Sequence, residues 1–514
     1  MLSRTRLQLF VGGLAVFASA LVAGSAEAVT YSLRATTGSV TMPDGTPVEI
    51  RGFADCGSDP LCASNPPATL PGPTLVVPAG DSLVINLKND LDEAVSVLVP
   101  GMTVQAVPTP GTGPTGAGTF TAAMVAAGGS GSFTFTPPGP GTYLYESGTN
   151  QAEQVQMGLY GAVVVQGYPA GTFDREQVVV LSDIDPAWHA EVAAGNPYNP
   201  IYFAPKYWLI NGKAYPDTQD VLVKTGEKLL LRYVNAGSQD HVIVIKGLAQ
   251  RGIADDANLT TYPQDAFTVV MAPGQTRDVI VTAAVPGDYP LFDRRLDITN
   301  ADQFPGGMIT MVRAIDSALA GLAILSSPPA AVTLGDTLVY DVVAVDGANL
   351  DAALTYGVSG PASMAIDGNG RLTWAPAAGD ASALIAGAPH SVTVSVDNGS
   401  GPVTQVFDVF VNSVPQVDPI TDQTLTAGSP LSVTVIATDA DTDLVQYVLV
   451  APPPGMTIDA GTGVISWTPT ESLVGDPITI QVQADDNRGG VGSQAFAVTV
   501  ASALPPPAGG GGGG

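Results

Sequence analysis

GTYLYESGTNQAEQVQMGLYGAVVVQ, residues 141–166, decides the fold. Its second half, residues 159–165, is an unbroken apolar run entered through a glycine turn, the pattern of a buried strand. The rest of the chain speaks the same language. Short runs rich in Val, Thr, Tyr and Ile alternate with turns of Gly, Pro, Asp and Asn, and 59 glycines and 43 prolines supply the breaks. No helical period is sustained; one short helix is predicted near residues 187–194. Upstream, GPTLVVPAGDSLVINLKND (72–90) places apolar residues at alternate positions about a Pro-Ala-Gly-Asp turn, which reads as two paired strands. The predicted class is all-β.

The opening segment resembles the last strands of a multicopper-oxidase cupredoxin domain, in which Y-H-x-H precedes M-G-L-Y-G-A and a run of valines. Tyr145, Met157, Gly158, Leu159, Tyr160, Gly161 and Ala162 keep that framework. Glu146 and Gly148 stand where the resemblance places two copper-binding histidines. Residues 72–90 are similar to the family's P-G-P opening. Its next signature, H-W-H-G, falls on Val97-Leu98-Val99-Pro100-Gly101, with valine at both ligand positions. In a second domain, residues 208–217, 226–241 and 271–293 resemble successive family strands. The H-x-H-G position there reads Val244-Ile245-Lys246-Gly247. His241 lies three residues upstream beside Asp240 and reads as a surface histidine in a turn. Residues 293–308 keep Gly306, Gly307 and Met308 but contain neither histidine nor cysteine. The resemblance covers roughly residues 70–315 and implies two cupredoxin-like Greek-key sandwiches, at 29–168 and 169–315.

Copper in this family needs two imidazoles and a thiolate at one site and several more imidazoles at a cluster, donors that suit it because they are borderline-soft. The chain has three histidines, His189, His241 and His390. Ligand counting therefore sets the expectation against copper. His189 reads as a loop residue without a partner, His390 as the start of a strand. Glu146 reads as a surface carboxylate, although with Glu153 it could offer oxygen to a harder metal.

Residues 320–413 and 414–501 repeat one another. SMAIDGNGRLTWAP (363–376) matches GMTIDAGTGVISWTP (455–469), pairing Ile366 with Ile458, Asp367 with Asp459 and Trp374 with Trp467. The repeat predicts two immunoglobulin-like sandwiches. They resemble the bacterial "putative Ig" modules related to cadherin repeats. In ATDADTD (437–443), Asp439, Asp441 and Asp443 alternate, and Asp485 and Asp486 follow in ADDN. Such a density of hard oxygens fits calcium. Asp346, Asp351 and Asp397 are weaker counterparts in the first copy. The competing reading is that Asp simply makes turns. The EF-hand spacing is absent.

Residues 1–28 read as a secretory leader: Arg4 and Arg6, an apolar core, then Ala26-Glu27-Ala28. The expected address is periplasmic, extracellular or cell-surface. No later segment reaches the ~18 apolar residues of a membrane span. The formal net charge of −28 argues against nucleic acid and anionic membranes as partners. Cys56 and Cys62 in CGSDPLC are most simply a loop-closing disulfide in an oxidising compartment. Residues 502–514, Pro- then Gly-rich, read as a flexible tail, either the spacer of a sequence cut short before an anchor or a plain terminus. No nucleophile elbow, P-loop or zinc motif appears. The expectation is a non-catalytic binding, adhesion or structural protein whose partner is an extracellular protein or polysaccharide, with oligomers allowed. Enzyme status is left open, leaning against. The alternative is a multicopper-oxidase-family oxidoreductase or copper binder, drawing on the thioethers of Met102, Met157 or Met308; another is a subunit whose copper sites a partner chain completes.

Overall fold

The computed structural model describes residues 27–108, 124–380, 389–442 and 444–503. Most of the leader, most of the tail and Asp443 lie outside the described residues. The chain divides into two compact units, Met1–Ser317 and Ala318–Gly514.

The first unit holds two sandwiches. In the first, a five-stranded sheet runs in the order Pro47–Asp55, Ala28–Thr41, Ser82–Asn89, Ser130–Thr136, Thr103–Pro108. It faces a three-stranded sheet of Leu75–Val77, Tyr160–Val165 and Gly141–Glu146. Tyr160–Val165 is buried at every position, as an apolar run with no polar face must be. It pairs parallel to Leu75–Val77 and antiparallel to Gly141–Glu146. Strand Ser82–Asn89 alternates strictly, so Leu83, Ile85 and Leu87 enter the core with Phe53, Phe133 and Phe135. One helical turn, Gln151–Gln154, interrupts the opening segment where the sequence signalled only a turn.

The second sandwich packs a six-stranded sheet, centred on Leu229–Asn235, against a five-stranded one. That smaller sheet is ordered Val221–Lys224, Ile309–Ile315, Gly287–Asp293, His241–Ile245, Thr268–Met271. The helix Pro186–Ala193 forms where Asp185 accepts the N–H groups of Ala187 and Trp188 and Pro186 opens the first turn. His189 is therefore buried on a helix, with Nδ1 2.6 Å from the Glu49 carbonyl oxygen. The short helix predicted near residues 187–194 thus carries His189, and the reading of a partnerless loop histidine was wrong because its partner, the Glu49 carbonyl, arrives from a strand 140 residues away.

In the second unit the two copies share one plan. Each has a four-stranded sheet whose first strand pairs parallel to its last: Ala331–Thr333 with Pro402–Asn412, and Gln423–Thr426 with Val491–Ala501. Each has a three-stranded sheet containing the repeated tryptophan, Trp374 or Trp467, buried in the core. The indole N–H of Trp374 donates to Ser363 Oγ and that of Trp467 to the Pro454 carbonyl.

Candidate functional site

Three places carry the chemistry. The first is the set of positions where the family signature would put histidines. Val97 and Val99 are fully buried among Phe53, Val95 and Tyr145, so this stretch supplies hydrocarbon to the first core. Leu98 N donates to the Glu146 carbonyl, which fixes the two segments side by side. Glu146 is not a surface carboxylate. It is half-buried, accepts from Gln151 Nε2 at 2.8 Å, and burial pushes its carboxyl up to about 7 against that hydrogen bond. The unforeseen turn at Gln151–Gln154 brings in that partner. Gly148 is buried beside Ser147, whose hydroxyl donates to Gln154 Oε1. In the second sandwich Val244 is half-buried on the opposite face of its strand from Ile243 and Ile245, and Lys246, just past the strand, is exposed. Cys56 and Cys62 are joined in a disulfide with Cα atoms 5.1 Å apart. Met102, Met157 and Met308 are all buried.

The second place is His241. It is fully buried at the start of its strand, and its Nδ1–H donates to Asp293 Oδ2 at 2.8 Å. The expectation of a surface histidine was wrong: the neighbouring Asp240 faces out to Arg295, while His241 turns inward to a carboxylate fifty-two residues away. Asp293 Oδ1 accepts the N–H groups of Val242 and Arg295. Burial opposes its charge, but these bonds prevail and hold Asp293 below the usual carboxylate range. Asp297 Oδ2 lies 3.8 Å from the same imidazole nitrogen. Burial, with Asp293 as neighbour, pushes the Asp297 carboxyl up to about 6. Among the described residues this is the one group of three or more His, Cys, Asp or Glu whose donor atoms gather tightly enough to hold an ion.

The third place is the start of the second Ig-like copy. Asp441 and Asp486 are buried there and Asp439 lies between exposed and buried. Asp441 Oδ2 accepts the N–H of Ser413, and Asp486 Oδ2 accepts from Asn412 Nδ2 at 2.8 Å. Asp439 Oδ1 accepts the N–H of Asp441. Asn412 Oδ1, Ser413 Oγ and Asp441 Oδ1 are buried and accept nothing. Asp485 instead closes a turn by accepting from Asn487 N. In the first copy, Asp346 is buried against Asn398 Nδ2, Asp397 accepts turn N–H groups from Gly399 and Gly401, and Asp351 is exposed. The sequence reading missed Asn412 and Ser413 because they sit at the seam between copies; the NS pair next to the boundary was the available signal.

Residues 58–169 and 177–314 each match a family model described as "Multicopper oxidase", and residues 414–501 match "Putative Ig domain". These first two segments resemble multicopper-oxidase domains. The chain is 28% identical over 288 residues to a "Copper resistance protein A homolog" of Pseudomonas syringae pv. tomato, covering 47% of each. It is 29% identical over 318 residues to "Laccase-3" of Oryza sativa subsp. japonica, covering 58% of this chain and 53% of that one. It thus spans about half the length of the curated relatives it matches. A solved Blue Copper Oxidase from Nitrosomonas europaea aligns at 24% identity and TM-score 0.48, over 56% of this chain and 86% of that one.

The expectation set against copper is corrected by these matches: the domain models and the relatives are named for copper. Counting ligands judged a cofactor by one arrangement of donors, whereas kinship bears on the metal itself. The family's own arrangement does not fit the residues present, since positions 97, 99, 146, 148, 244 and 246 supply neither imidazole nor thiolate. Among the described residues no helix is long and apolar enough to cross a membrane.

Proposed function

We propose that this multicopper-oxidase-type body and its Ig-like copies act as an exported binding or structural protein, meeting an extracellular protein or polysaccharide through the surfaces of rigid sandwiches. The observation that carries the non-catalytic part is the packing of Val97 and Val99 into the first core, where the family signature would aim two ligands at a reacting metal. Export rests on the leader pattern of residues 1–28. Fold alone does not transfer an activity. The test is oxygen uptake by the full chain after incubation with copper salts, using a phenol and a copper(I) complex as reductants. No turnover above free copper is expected; catalytic oxygen consumption by the copper-loaded protein would overturn the reading.

Calcium at the start of the second Ig-like copy belongs to the same proposal. Its support is the trio of buried oxygens that accept nothing, on Asn412, Ser413 and Asp441, all hard donors of the kind calcium takes in groups of six to eight. Water would complete the shell. Chelation is expected to lower the melting temperature of the wild type and to leave Asp441→Asn unmoved. An equal response in both would remove the site.

A second reading, copper handling or oxidation, is favoured by the names of the relatives. The oxygen-uptake measurement decides between the two.

A further inference from the structure

The cluster His241–Asp293–Asp297 has no part in that reading. Its geometry asks for something more than a hydrogen bond. His241 and Asp293 have fully buried side chains, and Asp297 is 15% exposed. The proton on His241 Nδ1 satisfies one oxygen of Asp293, and two backbone N–H groups satisfy the other. Nothing donates to the buried Oδ2 of Asp297 or meets the buried Nε2 of His241. Arg294 and Arg295, between the two carboxylates in sequence, are both exposed, and Arg295 is turned outward to Asp240. Two carboxylates thus crowd one imidazole nitrogen with little solvent to screen them, which is costly unless a positive charge joins them.

We infer that His241, Asp293 and Asp297 form a binding site for a divalent first-row transition ion, held through His241 Nδ1 and one oxygen of each carboxylate, the Nδ1 proton passing to the unpartnered Nε2 as the ion takes its place. One such ion would neutralise both carboxylates. The spacing suits it. Donors 2.0–2.1 Å from a tetrahedral ion stand about 3.3 Å apart. The 2.8 and 3.8 Å separations from His241 Nδ1 bracket that value, and all three donor atoms lie within 4.8 Å of one another. Mixed nitrogen and oxygen donors without sulfur fit zinc or copper(II) better than calcium, which prefers oxygen alone. Three protein ligands leave a fourth position for water.

The frame is rigid. Asp293 ends the strand Gly287–Asp293 and His241 begins the adjacent one. The turn bearing Asp297 is pinned by Met308 N donating to the Asp297 carbonyl and by Gly306 N donating to that of Ile298. Asp183, the other buried carboxylate that feels the charge of His241, is already supplied by Gln156, Ser238 and Gln239, so it is no further ligand.

The test is equilibrium dialysis of the full chain, stripped with chelator, against zinc, copper(II) and calcium separately. Metal is read by elemental analysis, and copper by the nitrogen hyperfine pattern of its electron paramagnetic resonance. Zinc or copper(II) is expected to bind at about one equivalent. Affinity is expected to fall at least 100-fold in Asp297→Asn and in His241→Gln, with one nitrogen lost from the copper spectrum in the latter. Asp297→Asn, at the most exposed of the three positions, guards against a folding artefact, and both variants are checked by circular dichroism. Binding of neither ion, or undiminished binding by folded Asp297→Asn, would overturn the assignment. Calcium uptake that survives these substitutions belongs to the Ig-like copy and leaves the two proposals separable.

Discussion

Glu146 shows how one substitution changes the physics of a position. A carboxylate enclosed where the family signature has an imidazole is held protonated to about pH 7 by its surroundings. A folded-state value above the ordinary carboxylate value means the folded chain keeps its proton longer than the unfolded one. Its contribution to stability is therefore complete below about pH 4.5 and disappears as pH rises through 7, on the order of 3 kcal/mol in all. Glu146→Gln is expected to flatten that slope, read as unfolding free energy from pH 4.5 to 8 for both proteins. A parallel slope in the variant would show that other groups cause it. Arg232 makes the opposite case. Its guanidinium is buried between Asp278 and Glu176 and donates to Thr142 Oγ1 of the first sandwich. Thr142 Oγ1 in turn donates to Asp278 Oδ1 at 2.6 Å, and Tyr168 OH donates to the other oxygen. Arg232→Met would leave Asp278 buried without its cation, and a loss of about 3–5 kcal/mol is expected in denaturant titration.

At the scale of elements, the strands were legible and their accessories were not. The apolar run at Tyr160–Val165 and the alternation at Ser82–Asn89 follow from pleat geometry, which sequence records directly. The turn Gln151–Gln154 was invisible because its stability comes from tertiary bonds, such as Gln154 Nε2 donating to the Ala94 carbonyl, rather than from local pattern. The same holds for His241, whose partners arrive from a strand end and turn far along the chain. Sequence spacing cannot place such groups together. Gly307 is one local requirement that could be read only in three dimensions. It sits at φ +61°, and a Cβ there would stand 2.5 Å from the Asp297 carbonyl. Gly307→Ala is expected to cost about 1–2 kcal/mol from the left-handed backbone alone. Because it also displaces Asp297, melting temperature and zinc uptake should fall together. The disulfide closes a separation of 6 residues, and its removal in Cys56→Ala/Cys62→Ala should cost about 2 kcal/mol on a chain-entropy basis.

Across the whole molecule, kinship and donor chemistry give different information. Motifs in order revealed the resemblance to multicopper-oxidase domains and the repeat, because framework glycines, tyrosines and valines are fixed by packing. Cofactor identity was misjudged from the same residues, since ligands can move while a fold stays. The division into two compact units makes the metal proposals separable in one calorimetric scan. Calcium removal is expected to shift the transition of the C-terminal unit, and zinc or copper(II) removal that of the N-terminal unit. A single transition moved equally by both treatments would count against assigning the ions to different units.

Asn412 and Ser413 carry a last consequence. Asn412 ends the final strand of the first Ig-like copy and Ser413 follows it, yet the side-chain amide of the one and the backbone N–H of the other donate to Asp486 and Asp441 of the second. A recombinant fragment cut at residue 414, where the family match begins, would discard both partners. The second copy is thus not a self-contained part that can be lifted out at its homology boundary, and grafting it into another protein requires carrying the tail of its predecessor.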